Sequence, residues 1–185
     1  MSLRHAILGF LNYMPLTGYE LKAALDASVH HFWPADQSQI YRTLASLAEE
    51  GLAQMDLVEQ ESRPDRKVYH ITEEGKEELR RWLSLRLPAQ QSRSAQLVQI
   101  FFAGQLSDEQ ILAGLEDTRQ RLRSRLEEYA RVPERAQVYV DRVSSARETF
   151  FWRLTLECGI RTQQAQLEWI DSVIERLEQK QHPAH

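Results

Sequence analysis

Apolar residues recur at helical spacing along most of this chain, with one interruption. Residues 3–13, "LRHAILGFLNY", set Leu3, Ile7, Leu8 and Leu11 on one face of a short helix that Pro15 stops. "TGYELKAALDASV" follows with Leu21, Ala24 and Leu25 on its buried side. Thr17 and Glu20 have the spacing of a capping box, in which the hydroxyl takes a free helix N–H and the carboxylate reaches back. A third helix is predicted from Asp36–Ser38 to Gly51. Ile40, Leu44 and Leu47 form its apolar stripe, and Gly51 suits the left-handed conformation that ends a helix.

After Gly51 the period shortens to two. "LAQMDLVEQ" alternates Ala53, Met55 and Leu57 with Gln54 and Asp56, and "RKVYHIT" carries Val68, Tyr69 and Ile71. The intervening "EQESRPDR", with Pro64, reads as a hairpin tip. Thr72 then caps a fourth helix whose first residues, Glu73 and Glu74, favour the positive helix end. "LRLPAQQSRS" breaks the pattern, and everything beyond it is helical. One short apolar helix covers "SAQLVQIFFAG". A long helix begins at Ser107–Gln110 and carries Ile111, Leu115, Leu122, Leu126 and Tyr129. A third, from Glu134 to Gly159, carries Val140, Val143, Phe150 and Leu154. The last, from Thr162, carries Leu167, Ile170, Ile174 and Leu177.

The predicted fold class is therefore mainly α with a small two-stranded β wing: a winged helix-turn-helix followed by a helical domain, which the family resemblance given below makes a helical dimerisation domain. The expected boundaries are residues 1–86 for the first domain, 87–92 for a linker, 93–181 for the helical domain and 182–185 for a tail. No apolar run approaches the ~20 residues of a membrane helix, and no leader pattern opens the chain. The single Cys158 leaves no partner for an intramolecular disulfide, and a cytoplasmic setting is expected.

Charge sharpens this picture. The chain carries a formal −4, and residues 1–84 hold 9 Lys and Arg against 13 Asp and Glu. A nucleic-acid contact in such a chain has to come from a local arrangement. The third helix supplies one, because Ser38, Gln39, Arg42, Thr43 and Ser46 share its outer face and no carboxylate stands among them. In a winged helix this helix enters the major groove by its N-terminal end. Arg42 is suited to guanine or phosphate, Gln39 to an adenine edge, and Ser38 and Thr43 to phosphates. Glu49 and Glu50, at the far end, are expected to point away. Arg63, Arg66 and Lys67 give the wing three cations in five residues.

The stretches "FWPADQSQIYRTLASLAEEGLAQ" and "RPDRKVYHITEEGKEEL", with the opening "ILGFL......GYEL", resemble the PadR family of bacterial transcriptional regulators. The resemblance covers residues 3–84, and the helical remainder is similar to the longer PadR subfamily with a virulence-activator-like C-terminal region. It implies a homodimer joined by the C-terminal helices, a palindromic double-stranded operator with half-sites about 34 Å apart, repression, and release by a small, often phenolic or aromatic effector. It implies no cofactor. Tyr41 occupies the family's tyrosine and either packs or donates to a phosphate. Tyr19 and Lys22, at the start of the second helix, complete the set of DNA-contacting candidates.

Leu122, Leu126, Tyr129, Val143, Phe150, Phe151, Leu154, Trp169, Ile170, Ile174 and Leu177 are the candidates for the dimer seam. The aromatic run at Phe150–Trp152 is read either as interface or as the lining of an effector pocket. Trp33, Trp82, Trp152 and Tyr139 are the candidates for that pocket. His30 and His31 project about 100° apart on a helix and do not share a metal ion. No catalytic motif is present, and the paired glutamates sit on solvent faces or at helix ends. The competing reading is a winged helix turned to protein interaction or assembly, which the acidity of residues 1–84 favours.

Overall fold

Five residues end an extended stretch and open a helix with a side-chain oxygen: Thr17, Asp36, Thr72, Ser94 and Ser107. Each accepts from the backbone N–H three residues on. At Thr17, Asp36 and Ser107 the reciprocal bond from Glu20, Gln39 and Gln110 completes a capping box. These caps set the helix starts of the computed structural model, which describes residues 2–30, 32–59, 65–86, 94–143 and 145–181. The chain divides into two compact units, residues 1–87 with 133–148, and residues 88–132 with 149–185. Residues 133–148, assigned from sequence to the helical domain, thus group with the first unit.

The first unit contains α1 (Ser2–Tyr13), β1 (Leu16–Thr17), α2 (Gly18–Ser28), α3 (Gln37–Glu49), β2 (Ala53–Val58), β3 (Arg66–Ile71), α4 (Glu73–Leu83) and α7 (Val132–Arg142). The wing is part of a three-stranded antiparallel sheet in the order β1-β3-β2, not a two-stranded one. Leu16 and Thr17 pair with Tyr69 and Val68, and a two-residue strand is too short to leave a period in the sequence. In the hairpin Ala53 opposes Ile71 and Val58 opposes Arg66.

Ile7, Leu8, Leu21, Leu25, Ile40, Leu44 and Leu47 are fully buried and hold α1, α2 and α3 together. The predicted apolar face of β2 is buried only at Ala53. Met55 and Leu57 are exposed, because the hairpin runs out beyond the core after its first pair. Gly51 adopts φ +74°, as the helix ending requires. Gly75, at the first turn of α4, lies under the Leu52 carbonyl, where a Cβ would come within 2.1 Å of the oxygen.

The second unit contains α5 (Ala95–Phe101), a 3-10 turn (Ala103–Gln105), α6 (Asp108–Ala130) and nearly all of α8 (Ala146–Glu178). Its core is Leu115 and Leu122 of α6 against Ile170 and Ile174 of α8, flanked by Ile111, Leu167 and Leu177. The helix break expected near Gly159 is absent. Gly159 lies inside α8, which begins at Ala146, and Ser145 caps that start by accepting from Glu148 N at 3.3 Å. One interior glycine costs a helix only about 1 kcal/mol, which the packing of a 33-residue helix absorbs. No described helix is long and apolar enough to cross a membrane.

Candidate nucleic-acid interface

Burying Ile40, Leu44 and Leu47 fixes the roll of α3 and turns Ser38, Gln39, Arg42 and Ser46 outward, with Thr43 half-buried at the edge. Four of these side chains, Gln39, Arg42, Thr43 and Ser46, make local hydrogen bonds. Gln39 closes the capping box: its amide oxygen accepts from Asp36 N at 3.1 Å while its own N–H donates to Asp36 Oδ1 at 2.7 Å. Reading an adenine needs both the oxygen and the amino group, so that contact requires the box to open. Thr43 Oγ1 donates to the Gln39 carbonyl at 2.8 Å, and Arg42 Nε donates to the Ser38 carbonyl at 3.3 Å. Arg42 is exposed, and neither of its Nη groups has a partner among the described residues.

Ser46 overturns one expectation. Its hydroxyl donates to Glu50 Oε1 at 2.8 Å, so the Glu50 carboxylate curls back beside the outer face of α3 instead of pointing away from it. Arg4 of α1 neutralises it, with Nη2 2.6 Å from Oε2. Hydrogen bonds from Arg4 and then Ser46 hold the Glu50 carboxyl below the usual carboxylate range. Arg4 was not singled out from sequence, because nothing in "SLRHAIL" shows that α1 begins beside the end of α3.

Tyr41 packs. Its ring covers Gly18, where a Cβ would lie 2.4 Å from Cε1 and 2.8 Å from Cζ. The "GYEL" and "QIYR" segments therefore meet, and only glycine lets α2 and α3 come this close with the ring between them. Tyr41 is still 42% exposed, so its hydroxyl end reaches solvent.

The described wing cations differ. Lys67 is exposed and has no ion-pair partner among the described residues. Arg66 donates from Nη2 to Glu20 Oε1 at 2.8 Å, and Glu20 also accepts from Thr17 N and Oγ1, both at 2.8 Å. Partial burial pushes the Glu20 carboxyl up, but the Thr17 hydrogen bonds and the Arg66 cation outweigh it and leave the carboxyl below its ordinary value. Arg63 lies outside the described residues. Tyr19 is strongly exposed, and Lys22 is paired with Asp26, four residues on.

Among the expected effector residues of the first unit, Trp33, Trp82 and Tyr139 have different surroundings. Trp33 lines an open groove of about 540 Å³ with Leu3, Arg4, Pro34, Gln39, Arg42 and neighbours. Trp82 stacks on the buried His5, centroids 4.4 Å apart and planes within 6°, while His5 Nε2 lies 3.1 Å from Glu78 Oε1. That fastens α4 to α1 and makes Trp82 a packing residue. Tyr139 is half-buried near Arg142, Glu20 and Asp26, and burial pushes its phenol up. Trp152 is half-buried in α8.

Several proposed seam residues are spent inside the protomer. Ile170 is fully buried, and Leu122, Tyr129 and Ile174 are buried. A side chain closed over by its own chain supports the helix and has little surface for a partner. Leu126, Val143 and Leu177 are half-buried, and Phe150, Phe151, Leu154 and Trp169 stay exposed along α8. Phe150 and Phe151 meet edge to face at 5.4 Å. α5, read from the sequence as a short apolar helix but not as part of the seam, leaves Leu97, Val98, Phe101 and Phe102 all exposed. Its signal was an apolar helix too short for its own core.

A profile of the PadR-like family of transcriptional regulators matches residues 7–81, and one for the C-terminal region of virulence activators matches residues 92–178. The chain is 31% identical to a probable transcriptional regulator of Mycobacterium tuberculosis, over 97% of this chain and all of that protein. It belongs to the PadR family. It is also 25% identical to the negative transcriptional regulator PadR of Bacillus subtilis, over 95% of this chain and 97% of the relative.

Among solved structures, Bacillus subtilis PadR in complex with operator DNA aligns with a TM-score of 0.81 at 24% identity, covering 96% of this chain and 99% of the other. The PadR-like regulator BC1756 of Bacillus cereus aligns at 0.78 and 27% identity, covering 96% and 98%. Both span the winged helix and the helical region, so the PadR fold extends along the whole described chain. Bacillus subtilis PadR is also known in complex with p-coumaric acid.

Proposed function

We propose that this PadR-family protein is a homodimeric, sequence-specific repressor whose α3 reads the major groove and whose wing follows the backbone. The carrying observation is the outer face of α3, where Arg42 presents two unpartnered Nη groups between short polar neighbours. Lys67 supplies the corresponding charge on the wing. The exposed apolar residues of α5 and of α8, chiefly Phe101, Phe102, Phe150, Phe151, Leu154 and Trp169, support dimerisation. Aromatic side chains are enriched at such interfaces.

The experiment is selection of bound fragments from a genomic digest, followed by gel shift on the recovered site. Sub-micromolar binding at ~150 mM salt is expected of a specific complex, and failure to retain any fragment refutes the proposal in favour of a protein-interaction module. Release by a small aromatic acid is the accompanying expectation, supported by the p-coumaric acid complex of Bacillus subtilis PadR. Adding p-coumaric acid and related phenolic acids to the gel shift tests it.

A further inference from the structure

The outer row of α3 is not symmetrical. Tyr41 leans toward α2 across Gly18. Gln39, Thr43, Ser46 and Glu50, at helical spacings of four, three and four, line the opposite flank. On that flank the cation is Arg4. It borders the groove that Trp33, Pro34, Gln39, Arg42 and Ser46 also line. Its Nη1 and Nη2 lie 3.4 and 2.6 Å from the two oxygens of Glu50.

Three features make this pair exchangeable. It is open to solvent, with 29% and 42% of the two side chains accessible, and exposed pairs of this kind contribute little to stability. Glu50 caps the C-terminal end of α3, where the helix dipole disfavours a negative charge. The buried Nε of Arg4 finds no acceptor among the described residues, so the paired state leaves a donor unsatisfied.

A helix in the major groove has a sugar–phosphate strand on each side. The wing and the start of α2, tied together by Arg66 and Glu20, carry Lys67 and Tyr19 and on the DNA-binding reading face one of them. Phosphate accepts from a guanidinium in the same two-pronged way as a carboxylate and carries its charge on every nucleotide. We propose that Arg4 is a DNA-backbone contact held in reserve. In the free protein Glu50 occupies its guanidinium, and on DNA Arg4 exchanges that carboxylate for a phosphate of the strand running along the α1–α3 groove. Glu50 then sets how strongly any duplex is held. This inference rests on the DNA-binding reading above.

The test uses the full chain in fluorescence anisotropy, with the selected operator and a scrambled duplex, from 50 to 300 mM KCl as working conditions. Glu50→Gln keeps an acceptor for Ser46 and frees Arg4. It should tighten binding to both duplexes by about twofold to fivefold, the worth of an exposed ion pair. Arg4→Gln should weaken binding to both and reduce the slope of log K against log salt by about 0.9, one phosphate's worth. R4Q/E50Q should bind no more tightly than R4Q, since the gain requires the arginine. Arg4→Lys, which keeps the charge, is the companion if R4Q melts early, and it should preserve the slope.

Unchanged or weaker binding by E50Q overturns the proposal, as does a gain that survives in R4Q/E50Q. In either case a wild type that still binds DNA with a normal salt dependence leaves the DNA-binding reading standing. A wild type that binds neither duplex sinks both.

Discussion

The contact of Tyr41 with Gly18 gives the most discriminating stability test in this protein. Gly18→Ala places a methyl group 2.4, 2.8 and 3.0 Å from three ring carbons, against an ordinary contact of 3.4–4 Å, so the ring must retreat by roughly 1 Å. Tyr41 is 42% exposed and its way out is toward solvent. A tyrosine buries on the order of 200 Å² when fully enclosed. Returning about 60 Å² of ring to water costs roughly 1.5 kcal/mol at ~25 cal/mol/Å². A distorted χ angle adds about 0.5–1.5 kcal/mol. Against this, alanine is favoured over glycine in a helix by about 0.5–1 kcal/mol.

The net expectation for G18A is therefore a loss of about 1–2 kcal/mol. In a Tyr41→Ala background the clash is gone and only the helix preference remains. There G18A should stabilise by up to about 1 kcal/mol. The sign of one substitution thus depends on one side chain, a coupling of roughly 2 kcal/mol. The assay is urea unfolding at fixed protein concentration, paired with hydrogen exchange on peptides from α2 and α3. G18A should also weaken operator binding, because the displaced ring no longer sets the α2–α3 angle. The same sign in both backgrounds would refute the reasoning.

Four further outcomes follow from the structure. Gly75→Ala should destabilise more than G18A, by about 3 kcal/mol, because its Cβ meets the backbone oxygen of Leu52 and not a mobile ring tip; a urea midpoint equal to wild type would contradict this. Arg42→Ala should cost roughly 1–3 kcal/mol of operator affinity and relax base preference, whereas Lys67→Ala should weaken all duplexes alike and flatten the salt dependence, both read by gel shift. The hydrogen bonds from His5 and then Arg81 hold the Glu78 carboxyl below its usual value. Its folded-state proton affinity is thus the lower one, and its contribution is present above the ordinary carboxylate range and lost as pH falls through the folded value. Between pH 6 and 3.5 as working conditions, wild type should lose more stability than Glu78→Gln, and equal losses would remove the role.

How much of this was legible in the chain varies by residue. Helix starts were, because Thr17, Asp36, Thr72 and Ser107 carry their caps within three residues. The buried side of α3 was, because Ile40, Leu44 and Leu47 follow the helical period. What failed to show were partners distant in sequence. Arg4 with Glu50 and Arg66 with Glu20 are each separated by 46 positions, and no local pattern announces them. His5 and Trp82 stack on each other from opposite ends of the first unit's sequence, and no local pattern announces that either. The seam in the helical unit was blurred for another reason: the stripes of α6 and α8 can bury against each other or against a second protomer with the same spacing. Leu115, Leu122, Ile170 and Ile174 do the former.

The acidity of residues 1–84 takes on a physical meaning from these distant pairs. Arg66, Lys22 and Arg4 flank the reading face, and each faces a carboxylate, from Glu20, Asp26 and Glu50. A matched pair projects little field beyond the ~8 Å over which charge is felt at physiological salt. The free protein then presents mainly Arg42 and Lys67 as uncompensated cations at the described part of this surface. Non-specific affinity grows with the number of phosphates neutralised, so covering three of these cations keeps the protein from settling on arbitrary duplex. On the proposed DNA-binding reading, a site that let Arg42 reach a base would hold the complex long enough for phosphate to contest the pairs. Discrimination would then be concentrated on the few side chains of α3 that no carboxylate holds, and the negative charges around them would help to keep it there.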